Sequence, residues 1–114
     1  MLVTGGAGFI GSAVVRQLID NTEANVLTLD KLTYSGHLAN LGEAAKHKRH
    51  RFERVDIADA GTVADAFESF RPTAVMHMAA ESHVDRSISG PADFISTNII
   101  GTYVMLDAAY TYWS

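Results

Sequence analysis

Cysteine is absent from the chain, so disulfides, thiolate nucleophiles and thiolate metal centres are excluded, and nothing argues for an oxidising compartment. Long apolar runs are absent too: none approaches the ~20 residues that a bilayer-spanning helix needs. Met1 leads straight into a short apolar stretch and then glycines, without the cationic region or small-residue cleavage site of a secretory leader. Nor is charge of one sign in excess. The 9 lysines and arginines against 13 aspartates and glutamates leave −4, which gives no standing attraction for nucleic acid or an anionic membrane. These absences point to a soluble, cytoplasmic protein whose partners are small molecules.

What is present is the composition of one globular domain, with 47% hydrophobic and 19% charged residues over 114 positions. Apolar runs of strand length alternate with segments of helical period, the pattern of a parallel α/β sheet. Strands are predicted over 2–4, 25–29, 51–55 and 74–78. Ile10, Ala13, Val14 and Leu18 share one helical stripe, and Val63, Ala66, Phe67 and Phe70 share another. Asp59 is the expected N-cap of the second helix, and Pro72 lies just past its end. From Pro91 a last, long helix is predicted, carrying Ile95, Asn98, Ile99, Thr102, Met105, Leu106, Ala109 and Trp113 on its apolar side. Right-handed crossovers make 3-2-1-4 the natural strand order, a Rossmann-like sheet with helices on both faces. Such a sheet normally carries further strands, so the fold is expected to be incomplete and the chain a truncation or a fragment.

Gly6-Ala7-Gly8-Phe9-Ile10-Gly11 matches G-x-G-x-x-G between the first strand and the first helix, where that pattern binds dinucleotides. The first glycine is expected to permit the tight turn, the second to let backbone approach a pyrophosphate, and Gly11 to let helix pack on strand. Backbone N–H groups of Phe9 and Ile10 would then meet phosphate oxygens at the helix N-terminus. The other reading is a glycine-rich turn that binds nothing. Asp30, nineteen residues beyond Gly11 at the end of the second strand, suits the hydroxyls of an adenosine ribose and would repel a 2′-phosphate, favouring NAD over NADP. Lys31 beside it could soften that discrimination. Asp56 and Ile57 at the end of the third strand suit an adenine, although a turn aspartate opening a helix reads the same way. Met78, Ala79, Ala80, Glu81 and Ser82 follow the fourth strand at the switch point, where small residues leave room for a nicotinamide ribose or simply pack.

His77 and His83 lack a third ligand and any metal-site spacing, so no metal is expected and His77 reads as a hydrogen-bonded strand residue. The run from Lys46 to Arg51 reads as a solvated face, and Tyr103, Tyr110 and Trp113 as core or subunit contact.

The strings LVTGGAGFIGS (2–12), DKLTYSG (30–36) and AAESHVDRSI (79–88) resemble those of the dTDP-glucose 4,6-dehydratases, within the extended short-chain dehydrogenase/reductases. The resemblance covers nearly all of this chain but only the opening part of such an enzyme, its NAD-binding Rossmann domain (1–114), without the remaining strands and substrate domain. It implies that Gly5, Gly8, Phe9, Ile10 and Gly11 approach the pyrophosphate and that Asp30, Lys31, Leu32 and Thr33 surround the adenosine ribose. It places Asp56 and Ile57 at the adenine, and Met78, Ala79, Ala80, Glu81, Ser82 and Thr97 on the nicotinamide side, with Ser82 also touching the sugar nucleotide. His37 and Met78 depart from the family's usual asparagine and leucine. The implied activity is that of a lyase, turning dTDP-glucose into its 4-keto-6-deoxy form for deoxysugars such as rhamnose, with NAD regenerated in place. The family's Tyr-x-x-x-Lys does not occur, since Leu38, Asp107 and Ser114 stand four residues after Tyr34, Tyr103 and Tyr110. No catalytic residue is therefore expected here, and the polypeptide alone should be inactive. A nucleotide-sugar epimerase of the same fold and a non-catalytic NAD-binding module remain the alternatives. A homodimer is the expectation for the full-length protein.

Overall fold

A computed structural model describes residues 1–32, 38–79 and 96–114. Four strands, β1 (Leu2–Thr4), β2 (Val26–Asp30), β3 (His50–Arg54) and β4 (Val75–His77), form one parallel sheet in the order β3-β2-β1-β4. Each strand lies within one or two residues of its predicted range. The second and third shift because Asp30 pairs with Arg54, which carries their ladder to the end of β2.

Helices cover both faces. On one, Val15 and Ile19 of α1 (Phe9–Asn21) pack with Leu41 and Ala44 of a 3₁₀ segment, Leu38–Lys46, against Val3 and Val26. On the other, Val63, Ala66 and Phe67 of α2 (Ala60–Phe70) and Met105 of α3 (Thr102–Trp113) pack against Leu2, Leu27, Leu29, Val55 and Ile57. The central strands β1 and β2 are buried at every position, which explains why they read as continuous apolar runs.

The second helix matches expectation: Asp59 accepts from the Thr62 amide at 3.3 Å, and the chain leaves the helix through a left-handed Arg71 before Pro72. The apolar stripes of the other two helices need correction. In α1 the buried residues are Gly11, Ser12, Val15 and Ile19, while Ile10 and Ala13 are exposed and Val14 and Leu18 are only half-buried. The helix is turned by about 100°, one residue, from the predicted face. Gly11 causes this by fitting against the Gly5 carbonyl, as detailed below. In the last helix Met105 is buried and Ala109 partly so, but Ile99, Leu106 and Trp113 stand exposed. A π-helical turn, Ser96–Gly101, precedes α3, and its wider winding breaks the single 3.6-residue phase assumed across both. Pro91 and Ile95 lie outside the described residues.

Aromatic contacts dock α3 on α2. Tyr112 lies 5.3 Å from Phe67, ring to ring, beneath the Arg71 guanidinium, and its hydroxyl donates to the Pro72 carbonyl at 2.9 Å.

Candidate functional site: the crevice at the carboxyl ends of the strands

The chain leaves β1 through Gly5, whose φ of +70° is left-handed and whose missing side chain is obligatory, since a Cβ there would lie 2.7 Å from the Ala79 amide nitrogen. Gly5 N–H donates to the Leu29 carbonyl at 2.8 Å, and the Gly8 N–H closes the turn on the Gly5 carbonyl at 3.1 Å. The tight turn expected of Gly6 is thus made one residue earlier. Gly6 is needed for a different reason: a Cβ would meet Thr28 Cγ2 at 2.3 Å. Gly11 has the role assigned to it, because a Cβ would sit 2.0 Å from the Gly5 carbonyl oxygen. Helix and strand therefore meet backbone to backbone, which aims the start of α1 at the end of the sheet.

Gly8 is the N-cap, and no side chain caps this helix end or places an acid in its first turn. The amides of Phe9, Ile10 and Gly11 have no intrahelical acceptor, and the helix dipole adds partial positive charge there. Phe9 and Ile10 project outward, 88% and 63% exposed. Such an end is chemically suited to a diphosphate.

Asp30, at the tip of the neighbouring strand, turns towards this bend. One carboxylate oxygen accepts from the Ala7 amide at 2.9 Å and the other from the Leu32 amide at 2.7 Å. The carboxylate is thus both a turn acceptor and a fixture of the glycine loop. Each oxygen keeps a second lone pair, so it can still accept from a ligand hydroxyl beside the loop. Leu32 holds a left-handed φ of 58°, unusual for a leucine, and it does so against that carboxylate.

Asp56 accepts from the Ala58 amide at 3.0 Å, the turn that launches α2, and its other oxygen lies 3.4 Å from Lys31 Nζ. Both groups are exposed enough that this ion pair contributes little to stability, but it brings the ribose-side and adenine-side candidates together. Ile57 does not present itself: it is 4% exposed within the core, so an aliphatic cover over a purine there would be narrow. Met78 and Ala79 are half-buried, with the Ala79 backbone against the Gly5 turn. Thr97 lies in the π-helical turn, and Thr33, Ala80, Glu81 and Ser82 lie outside the described residues.

Three supporting residues escaped the sequence reading. Asn40 Nδ2 donates to the Ala7 carbonyl at 2.8 Å, and Arg16 bonds both the Asn40 carbonyl and Ser12 Oγ, fastening the glycine loop from behind. Nothing local flags Asn40. Thr4 Oγ1, fully buried, holds the amides of Met78 and Ala79 at 3.0 and 3.1 Å and contacts His77 Nδ1 at 2.7 Å. His77 is thereby the hydrogen-bonded strand residue expected, and burial lowers its basicity. No group of three or more metal-ligating side chains occurs among the described residues.

A glycine-rich bend lies beside a strand-end carboxylate on a 3-2-1-4 parallel sheet, and known proteins share its sequence and fold. A family model described as GDP-mannose 4,6 dehydratase matches residues 2–114. The chain belongs to this dehydratase family. Similar curated relatives carry the name dTDP-glucose 4,6-dehydratase: one from Escherichia coli is 58% identical over 99% of this chain, and one from Shigella flexneri 60% identical over all of it. The chain spans about a third of their length, 31% and 32%. Among solved structures, the dTDP-glucose 4,6-dehydratase of Streptomyces venezuelae with NAD bound superposes with a TM-score of 0.89 at 47% identity, covering 98% of this chain and 36% of that one. The UDP-glucose 4-epimerase of Thermus thermophilus, in complex with NAD, gives 0.83 at 40% identity, covering 98% and 34%. The dehydratase family is thus common ground, and the relatives' names specify a thymidine nucleotide rather than the guanosine nucleotide of the family's description.

Proposed function

We propose that this chain is the NAD-binding part of a dTDP-glucose 4,6-dehydratase, a lyase of deoxysugar biosynthesis such as that of rhamnose, working in the cytoplasm. The observation that carries the reading is the 2.9 Å bond from the Ala7 amide to Asp30, which holds that carboxylate against an uncapped helix N-terminus. The Phe9, Ile10 and Gly11 amides hold the diphosphate. Asp30 accepts from the adenosine ribose, with Lys31, Leu32 and Thr33 around it. Asp56 meets the adenine, while Ile57 contributes its backbone and a buried edge. Met78 to Ser82 and Thr97 border the nicotinamide, and Ser82 reaches the sugar nucleotide. NAD, when bound, supplies a reversible hydride acceptor at the sugar.

The acid and base groups that the family uses are not among these residues, so the chain by itself turns over no substrate. Residues 1–114 act as one cofactor-binding domain. The exposed apolar side of α3, with Tyr103, Leu106, Tyr110 and Trp113, pairs with a second copy in the full-length enzyme. Sedimentation should show self-association that Leu106→Glu abolishes; a monomer at high concentration contradicts this.

Calorimetric titration with NAD⁺, NADP⁺, dTDP-glucose and UDP-glucose tests the assignment. NAD⁺ should bind at least tenfold more tightly than NADP⁺, because Asp30 repels a 2′-phosphate, a difference of about 1.4 kcal/mol or more. Equal affinities overturn the cofactor reading. The similarity to a 4-epimerase supports a second reading of the same fold, and tighter binding of the uridine than the thymidine nucleotide would favour it.

A further inference from the structure

A chain of side chains, Thr4–His77–Thr102, links the carboxyl ends of β1 and β4 to the start of α3. Thr4 Oγ1 has three neighbours: the Met78 amide, the Ala79 amide and His77 Nδ1. The first two are donors. The Met78 amide is shared with the Thr4 carbonyl at 3.1 Å, and the arrangement that satisfies every group has the Thr4 hydroxyl giving its one proton to Nδ1. Nδ1 is then unprotonated, the ring's hydrogen sits on Nε2, and Nε2 donates to Thr102 Oγ1 at 3.0 Å. Thr102 is the first residue of α3, directly after the π-helical turn. The other end of the chain grips Met78 and Ala79, whose backbone packs against the left-handed Gly5.

We propose that His77, in its neutral Nε2–H form, is a positioning residue: it spans from the start of α3 to the Thr4 hydroxyl and so sets the β1–β4 wall of the dinucleotide crevice. A proton added at Nδ1 would face the Thr4 hydroxyl hydrogen, leaving two donors opposed in a buried place. The wall would have to move. Among the described residues no charged partner offsets this. β1 and β4 carry none, and the acids of the packed helices, Asp65 and Glu68 on α2 and Asp107 on α3, lie on exposed faces. Burial alone lowers the ring's basicity.

The inference rests on the crevice taking a dinucleotide, and the test separates the two. In the 114-residue chain, ¹⁵N NMR of the imidazoles should show His77 as the neutral Nε2–H tautomer at pH 7. NAD⁺ affinity should fall as the pH is lowered from 7.5, because a protonated ring leaves a buried donor unsatisfied; at pH 5.5 the loss should be under about tenfold, since burial holds the ring's pKa below its ordinary value. His77→Asn places an acceptor where Nδ1 was and has nothing to protonate, so it should retain NAD⁺ binding at pH 7.5 with a flatter pH profile. His77→Leu, lacking the acceptor, should bind about tenfold more weakly at pH 7.5 while keeping a cooperative melt. An Nδ1–H tautomer, or the same pH profile for wild type and His77→Asn, overturns the positioning role. No NAD⁺ binding at any pH overturns the dinucleotide reading instead.

Discussion

Replacing Gly11 by alanine puts two effects of opposite sign on one residue, and the structure decides between them. Within a helix, Gly→Ala is ordinarily stabilising by about 1 kcal/mol. Here the new Cβ would lie 2.0 Å from the Gly5 carbonyl oxygen, 2.8 Å from the Gly5 carbonyl carbon and 3.1 Å from Gly6 Cα, all backbone atoms. No side chain can rotate away. Ordinary contact requires the helix to retreat by more than an ångström, which loosens Val15 and Ile19 from Val3 and Val26. Overpacking of this kind costs about 3 kcal/mol, at the upper end because neither partner yields. The net is a loss of about 2 kcal/mol, or roughly 8 °C in Tm at this chain length. Thermal unfolding followed by circular dichroism reads it directly. Gly8→Ala is the control, since its Cβ would meet only the Gly5 carbonyl oxygen at an ordinary 3.4 Å; it should lose only the N-cap preference for glycine over alanine, under about 1 kcal/mol and so a smaller Tm drop than Gly11→Ala, while NAD⁺ binding weakens at the crowded diphosphate. A Gly11→Ala protein that melts at or above wild type refutes the close-packing argument.

Asp30→Asn keeps one acceptor oxygen and loses the other, so we expect about 1 kcal/mol lower stability in urea titration and a narrowed preference for NAD⁺ over NADP⁺; an unchanged preference counts against the ribose role. Tyr112→Phe removes the bond to the Pro72 carbonyl and should cost about 1 kcal/mol, measured the same way. His50 and His77 both have their basicity lowered in the fold, each chiefly by burial, so the unfolded chain binds more protons just below its ordinary histidine pKa of about 6.5. Their stabilisation is complete above that pH and is lost as pH falls below it. Urea midpoints at pH 7.5 and 5.5 should therefore decrease, and an increase contradicts the sign.

Much of the fold was legible because strands and turns are local chemistry. The buried runs of β1 and β2, the Asp59 cap and the Pro72 stop each depend on residues within a few positions of one another. The rotation of α1 was not legible, because Ile10 looks like core and the close packing expected at Gly11 carries no hydrophobic signal of which face it turns inward; the glycine's contact with the Gly5 backbone sets that face. The last helix misled for a related reason: a π-helical turn leaves no clear periodic mark, so a single 3.6-residue phase put Leu106 and Trp113 on the wrong side. In the candidate site, glycines and strand-end carboxylates were readable from spacing. Asn40 behind the loop and the hydroxyl of Thr4 were not, since their partners lie 33 and more than 70 positions away.

The most direct test of the central claim is an NMR titration of ¹⁵N-labelled protein with NAD⁺, following backbone amides. Saturable shifts concentrated at residues 5–11 and 30–32 are the expected result. A titration that leaves the Phe9, Ile10 and Gly11 amides unmoved, or that shifts a surface remote from the carboxyl ends of the strands, would contradict it.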